Sequence, residues 1–199
     1  MTKRIITVSR AFGSGGHTIA QMLADRLGYS FYDNALITEV AKKSGLSEEF
    51  IKEHEEYASH SNSFLYQLAM STAGSLGYPS VYQKLYEAQT KVIEEIAEKG
   101  EPCVIVGRCA DYILRERTDA LHVFVYSDKE SCARHILDVY GETGKHIDQR
   151  IREKDNRRRN YYRFHTDREW GVCANYHLCL DSWQLGLESC VDLIVKAAE

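Results

Sequence analysis

The chain has 199 residues, of which 44% are hydrophobic and 27% are charged, and its formal net charge is −4. This balance is typical of one globular domain, and it argues against a disordered chain or a protein coated with positive charge for nucleic acid. No run approaches the roughly 20 apolar residues that span a bilayer, and the N-terminal MTKRIITVSR has too few for a signal sequence, so we expect a cytoplasmic protein without a membrane partner.

The first part of the chain predicts a strand, a helix and a second strand. Residues 5–8 are a β-branched run typical of a strand buried on both faces. Apolar residues then recur at helical spacing over 19–27, after a glycine-rich stretch. A short strand is predicted over 29–32, and a further helix over 36–45.

The remainder of the chain continues the alternation after an irregular stretch. Residues 59–80 are small, polar and aromatic with weak periodicity, which predicts an irregular or partly helical insert. Ser127, followed three residues later by Glu130, matches a capping box and predicts the start of a helix. The other predicted elements are helices over 81–96 and 187–194 and strands over 103–106, 121–125 and 176–180.

This order of elements predicts the fold class. Strands that alternate with helices form a parallel sheet covered on both faces. We therefore expect a single domain over 1–199, built as a three-layer α/β/α sandwich with about five parallel strands.

The central motif is the glycine-rich stretch SRAFGSGGHT, which lies between the first strand and the first helix. Glycines let consecutive backbone N–H groups point into one concavity, and the helix that follows adds free N–H groups and the positive end of its dipole. A loop that follows a strand also lies at the carboxyl edge of a parallel sheet, where ligands bind. We predict a phosphate site, with a tight turn that holds no ligand as the alternative; its residues are Arg10, Gly13, Ser14, Gly15, Gly16, His17 and Thr18.

The loop departs from the regular phosphate-loop motif G-x-x-x-x-G-K-[ST], in which the lysine contacts the terminal phosphates. When Gly15 is aligned with the glycine before that lysine, Gly16 takes the lysine position and His17 the hydroxyl position. Arg10 stands where the first glycine is expected. A dinucleotide fingerprint fits less well, because its sixth position would be Thr18 instead of glycine.

Two other regions carry cations. Gly107-Arg108 ends a predicted strand, where a planar guanidinium can hold a phosphate with two hydrogen bonds, although a surface arginine is the alternative. The segment 148–169 contains eight Lys/Arg and five Asp/Glu, a local net charge of +3. It can be a solvated helix face, an RNA-binding module that stacks bases on Tyr161 and Tyr162, or an arginine-rich lid. The acidic remainder of the chain weakens the nucleic-acid interpretation.

Five motifs in this order resemble the cytidylate kinase-like branch of the nucleoside monophosphate kinases. They are ITVSRAFGSGGHTIA, LGYSFYDNALI, VIVGRCADYIL, VFVYSDKESCARHI and IREKDNRRRNYY. The resemblance covers most of the chain, with residues 50–80 poorly matched. It implies a P-loop kinase fold, ATP and Mg²⁺, and transfer of a phosphoryl group from a nucleoside triphosphate donor to a small nucleotide acceptor.

The resemblance also assigns residues. Gly13 to Thr18 would form the phosphate loop, residues 44–80 a monophosphate-binding insert and residues 142–168 a lid. The acceptor would contact Asp33, Asn34, Arg108, Arg152 and Asp155. The groups that stabilise the transferring phosphoryl group would be Arg108, Arg157 and Arg159.

Three positions differ from the cytidylate kinase pattern: Gly16 replaces the loop lysine, Cys109 replaces an aspartate and Glu39 replaces an arginine. Either Arg10 or a lid arginine can supply the missing cation. Two functions therefore stay open: an ATP-dependent phosphotransferase, or a non-catalytic nucleotide-binding or regulatory protein with a degenerate loop. The acceptor and the oligomeric state are not encoded in these motifs.

The cysteines suggest no metal centre. Cys173 and Cys179 are too far apart in sequence for a C-x2-C pair, although His165 and His177 are close to them, and no metal site is predicted. Cys109 is a possible nucleophile beside Arg108, but a small buried residue is the favoured interpretation. We expect the six cysteines to be reduced, buried thiols.

Overall fold

The computed structural model describes residues 3–33, 81–140 and 146–199, together with Leu36, Glu39 and Lys43. Apart from these three residues, the predicted helix over 36–45 lies outside the described residues. The same holds for the predicted insert over 44–80, with its irregular stretch 59–80, for Asn34 and for positions 142–145 of the predicted lid. None of the helices within the described ranges has the length and apolarity needed to cross a membrane. The elements are β1 (Ile5–Arg10), α1 (Gly16–Leu27), β2 (Ser30–Tyr32), α2 (Val81–Glu98), β3 (Cys103–Val106), α3 (Ala110–Ile113), β4 (Ala120–Tyr126), α4 (Lys129–Tyr140), α5 (Ile147–Thr166), a 3-10 turn (Cys173–Asn175), β5 (Leu178–Asp181), α6 (Ser182–Leu185) and α7 (Leu187–Ala198).

The five strands form one parallel sheet in the order β2-β3-β1-β4-β5. β1 is central, and its first residue, Ile5, pairs with Cys103 of β3 on one side and with Ala120 of β4 on the other. The chain therefore builds outward from β1 in both directions, which places a topological switch point at the carboxyl end of β1. The predicted five-stranded parallel sheet with helices on both faces is confirmed.

Among the described residues, the two largest apolar clusters form layers on opposite faces of the sheet. Ile6 and Val8 of β1 face the layer that α1 and α7 complete, whereas Ile5 faces the layer that α2 completes. Because successive strand residues point to opposite faces, a strand that is apolar on both faces must lie inside the sheet. This agrees with the central position of β1.

Helix α4 begins one residue later than the capping box predicts. The N-cap is Asp128, whose Oδ1 accepts a hydrogen bond from the N–H of Ser131 at 2.9 Å. The predicted cap, Ser127, instead donates its hydroxyl to Oδ1 of Asp181 at 2.6 Å. A carboxylate also interacts favourably with the positive end of the helix dipole, so Asp128 is the better cap.

The cysteines are all free thiols, as expected. Four of them are buried, but Cys173 is exposed and Cys179 is partly exposed. The prediction of buried thiols is therefore wrong for Cys173, because the 3-10 turn that carries it lies on the surface.

Candidate functional site

The loop between β1 and α1 depends on two glycines in the left-handed backbone region. The φ angle is 82° at Gly13 and 71° at Gly15. A Cβ atom at Gly13 would lie 2.7 Å from the carbonyl oxygen of Cys132, and one at Gly15 would lie 2.9 Å from a methyl carbon of Leu187. Both the backbone conformation and the close packing against α4 and α7 therefore require glycine at these positions.

Helix α6 donates two side-chain hydrogen bonds to backbone carbonyl groups of the loop. The Ser182 hydroxyl donates to the carbonyl oxygen of Ser14 at 2.5 Å, and the indole N–H of Trp183 donates to that of Gly13 at 3.3 Å. In a trans peptide the carbonyl and the next N–H point in opposite directions, so the N–H of Gly15 points away from Ser182. This N–H lies at the start of α1, which is the backbone arrangement that binds anions.

The lysine position of the regular motif has no room for a side chain. A Cβ atom at Gly16 would lie 2.5 Å from Cβ of Arg10 and 3.1 Å from Cβ of Val125. Arg10 is the last residue of β1, and its guanidinium lies over Gly107 at the end of β3. The side chain of Arg10 therefore occupies the space beside the loop.

The surroundings of Arg10 are strongly charged. Its pKa is lowered to about 9, first by burial and then by the positive charges of Arg158 and Arg108. The carboxylates of Asp33 and Asp155 act in the opposite direction. Three arginines and two aspartates thus lie near one another at the switch point of the sheet, although they are far apart in sequence.

Helix α5 contacts the loop through two residues. Oδ1 of Asp155 accepts from the N–H of Phe12 at 2.8 Å, and Nη1 of Arg158 donates to the carbonyl oxygen of Arg10 at 3.0 Å and to Asp155 at 3.2 Å. Burial raises the pKa of Asp155, while the Phe12 N–H and Arg158 lower it. Arg158 is absent from the residues predicted from the sequence, and its spacing of three from Asp155 was the available signal.

The other arginines predicted in α5 lie in different surroundings. Arg152 and Arg159 are exposed and bond within the helix, to the carbonyl oxygen of Asp148 at 3.2 Å and to Oδ1 of Asn156 at 2.6 Å. Arg157 is half-buried, and its Nε is enclosed without a hydrogen-bond partner among the described residues. The structure therefore turns Arg157 inward and leaves Arg152 and Arg159 at the surface.

On the β2 side of the loop, His17 contacts Asp33 instead of facing the loop interior. Its Nε2 lies 2.9 Å from Oδ2 of Asp33, which follows the end of β2. Asp33 is largely buried, whereas half of the His17 side chain is exposed. His17, which takes the hydroxyl position of the regular motif, therefore lies towards the side of the sheet where acceptor contacts are predicted. The neighbouring residue, Thr18, is exposed.

Arg108 is fixed through its own backbone at the end of β3. It has a left-handed φ of 57°, and its carbonyl oxygen accepts from Nε2 of Gln89 at 2.7 Å. The amide oxygen of Gln89 accepts from the Tyr161 hydroxyl of α5 at 3.3 Å. α2 and α5 together therefore position the backbone that carries Arg108.

A buried carboxylate, which sequence reasoning missed, lies beneath these residues. Asp111 is 2% exposed and accepts from the hydroxyl of Ser9 at 3.2 Å and from the hydroxyl of Tyr162 at 2.6 Å. Burial raises its pKa. This network connects β1, α3 and α5, and its only sequence signal is an aspartate in a short apolar segment after Arg108.

The alternative sites weighed from the sequence gain no support. Cys109 is 4% exposed, and burial raises the pKa of its thiol, which disfavours the nucleophilic thiolate. His165 stacks on Tyr86 with ring centroids 3.9 Å apart, and His177 stacks on His122 at 4.9 Å. Within the described ranges no group of three His, Cys, Asp or Glu residues is arranged to hold a metal ion.

Solved structures with the same fold include an uncharacterized protein from Eubacterium ventriosum and several shikimate kinases. The Eubacterium protein is 25% identical, with a TM-score of 0.74 over 98% of this chain and 97% of that chain. The shikimate kinase from Acinetobacter baumannii, in complex with shikimate, is 17% identical, with a TM-score of 0.53 over 97% and 91%. That from Bacteroides thetaiotaomicron is 15% identical, with a TM-score of 0.53 over 97% of both chains. The shikimate kinases establish the fold alone.

The sequence comparisons are more specific. A curated cytidylate kinase from Archaeoglobus fulgidus is 25% identical over 199 residues, which cover 98% of this chain and 94% of that protein. The family model described as the cytidylate kinase-like family matches residues 5–184, from β1 into α6. This range contains the glycine loop, Arg108 and the whole of α5. The chain therefore belongs to the cytidylate kinase-like family.

Proposed function

We propose that the protein is an ATP-dependent phosphotransferase that transfers the γ-phosphoryl group of MgATP to a nucleoside monophosphate or a similar small acceptor. The observation that carries the proposal is the cluster of Arg10, Arg108 and Arg158 beside a glycine loop at the switch point of the sheet. Phosphoryl transfer is catalysed mainly by positioning and by cations that stabilise charge on the transferring oxygens.

The donor would bind at the glycine loop. Its β-phosphate would accept hydrogen bonds from the backbone N–H groups of residues 13–18 at the start of α1. Mg²⁺ would enter as the complex with ATP. Because the loop presents His17 where a hydroxyl ligand is usual, the metal ion is expected to keep phosphate and water oxygens as its ligands.

The acceptor would lie between the ends of β1, β2 and β3. Asp33, Asn34 and Arg108 are proposed to contact it, with the Arg108 guanidinium on its phosphate. The Archaeoglobus relative is a cytidylate kinase, which supports a nucleoside monophosphate as acceptor. Closure of segment 142–168 would then add Arg152 and Asp155 to the acceptor contacts and bring Arg157 and Arg159 to the transferring phosphoryl group.

A non-catalytic nucleotide-binding protein is the second candidate. It is favoured by one observation: the lysine position is Gly16, and a Cβ atom there would collide with Arg10. A regulatory protein of this kind would bind nucleotides with the same loop without turning them over.

A turnover assay separates the two candidates. The protein is incubated with MgATP and, in parallel, with CMP, dCMP, UMP, AMP or GMP, and the nucleotides are resolved by ion-exchange chromatography. We expect one acceptor to yield its diphosphate in an amount equal to the ADP formed. Thermal stabilisation by MgATP without turnover of any acceptor would favour the binding-only candidate, and the absence of both effects would contradict nucleotide binding altogether.

A further inference from the structure

We infer that Arg10 is the phosphate-binding cation of the loop, and that the chain has exchanged the glycine and cation positions of the regular motif. In G-x-x-x-x-G-K the first position is glycine and the seventh is lysine; here these positions are Arg10 and Gly16. The inference rests on the proposed function, since it names the residue that contacts the terminal phosphates of the donor.

The exchange has a steric basis. A Cβ atom at Gly16 would lie 2.5 Å from Cβ of Arg10 and 3.2 Å from its Cγ. At this separation the two positions, six residues apart in sequence, can accommodate only one long side chain between them. A glycine at one position is therefore the condition for a cation at the other.

A second glycine determines where the guanidinium lies. A Cβ atom at Gly107 would lie 2.2 Å from Nη1 of Arg10. Gly107 directly follows β3 and has a left-handed φ of 73°, and its N–H donates to the carbonyl oxygen of Val8 at 3.1 Å. Gly16 and Gly107 together leave a path along the edge of the sheet, and the guanidinium lies at its end, between the glycine loop and the side where acceptor contacts are predicted.

The hydrogen-bonding state of this guanidinium points to an anionic ligand. It donates no hydrogen bond to any other residue of the described ranges. The nearby carboxylates already have partners, since Asp33 contacts His17 and Asp155 contacts the Phe12 N–H and Arg158. A cation enclosed among other cations is costly unless an anion with several oxygens accepts its hydrogen bonds. The terminal phosphates of a nucleoside triphosphate have this chemistry.

The test relocates the cation. Calorimetric titration with MgATP compares the wild type with Arg10→Ala, Arg10→Gly and the double variant Arg10→Gly/Gly16→Lys, which restores the regular motif. A charge-assisted hydrogen bond contributes about 1.5–3 kcal/mol, so Arg10→Ala and Arg10→Gly should lose roughly 10- to 100-fold in affinity. The double variant should recover to within about tenfold of the wild type.

Arg4→Ala is the matched control, because it removes an arginine from the opposite end of the same strand segment, about 20 Å away. Arg4 pairs with Asp119 and has no contact with the loop among the described residues. The Arg4→Ala variant should bind MgATP with the affinity of the wild type. The inference is overturned if Arg10→Ala binds within about twofold of the wild type, or if the double variant binds no better than Arg10→Gly.

A stability measurement tests the steric basis independently of nucleotide. Gly16→Ala should lower the free energy of unfolding in the wild type, because the new Cβ atom collides with Arg10, but much less in an Arg10→Gly background. An equal loss of unfolding free energy in the two backgrounds would overturn the inference that positions 10 and 16 have exchanged glycine and cation. If the wild type transfers phosphoryl groups while Arg10→Ala is unaffected, only this inference fails; if the wild type does not bind MgATP, the proposed function fails with it.

Discussion

The ionisation of Arg10 gives the loop a measurable pH dependence. Burial and the charges of Arg158 and Arg108 lower its pKa to about 9, so the side chain is charged at neutral pH and becomes neutral as the pH rises through about 9. We expect the affinity for MgATP to be constant from pH 7 to 8 and to fall above pH 9, because the cation that binds phosphate is lost. Calorimetric titrations between pH 7 and 10 measure this.

The control for this pH dependence is Arg10→Ala, whose weaker affinity should not change with pH over the same range. A wild-type affinity that stays constant up to pH 10 would contradict a role for the charged form of Arg10. An equal decline in Arg10→Ala would assign the effect to another group.

At single residues, the sequence predicts the backbone-determined part of the site better than the part determined by tertiary contacts. Gly13 and Gly15 follow from loop chemistry alone, because a left-handed backbone is specified locally. The role of Arg158 cannot be predicted from local sequence, because the Asp155–Phe12 hydrogen bond determines which face of α5 meets the loop. The contacts of Asp111 are equally unpredictable from local sequence, since its partners lie 102 positions earlier and 51 positions later in the chain.

Helix α5 is connected to the sheet by the hydroxyl of Tyr162, and this connection can be tested. Tyr162→Phe removes one of the two side-chain donors to the buried Asp111 carboxylate. A buried acceptor that loses a partner costs about 1–3 kcal/mol, so the free energy of unfolding should fall by that amount in urea titrations. No change relative to the wild type would contradict the connection, and Tyr112→Phe, whose tyrosine lies on α3 beside Arg115, is the control.

The proposed lid function of α5 makes a kinetic prediction. Arg157→Ala should lower the turnover number by about 100-fold or more while MgATP affinity stays within a few-fold, because the arginine would act mainly in the transition state. Steady-state kinetics with the acceptor identified by the turnover assay, together with calorimetry, measure both quantities.

Arg163→Ala, an exposed arginine on the same helix, is the control for this prediction. Its thermal unfolding midpoint and that of Arg157→Ala should remain close to the wild-type value. A turnover number for Arg157→Ala within about twofold of the wild type would contradict the lid function.

At the level of elements, the hydrophobic pattern predicted the strands within one or two residues, as for the strand predicted over 103–106 and observed as Cys103–Val106. The start of α4 was predicted less well, because Asp128 and Ser127 compete for the cap and the partner that holds Ser127, Asp181, lies on β5. Local patterns specify that an element exists, whereas its ends depend on distant partners.

For the whole molecule, the alternation of strands and helices predicts a parallel sheet but not its strand order. The order β2-β3-β1-β4-β5 brings together the ends of β1, β3 and β4, so Arg10, Gly107 and Val125 become neighbours. These long-range strand pairings bring the positive cluster together in a chain whose net charge is −4. The absence of the loop lysine is explained by the packing of Arg10 against Gly16, which the linear sequence does not show.

A crystal structure with Mg²⁺ and a non-hydrolysable ATP analogue tests the phosphate-loop assignment most directly. We expect the β- and γ-phosphates to lie within the loop of residues 13–18, with a phosphate oxygen about 3 Å from the guanidinium of Arg10. Triphosphate density outside the loop, or an Arg10 side chain turned away from the phosphates, would contradict the assignment.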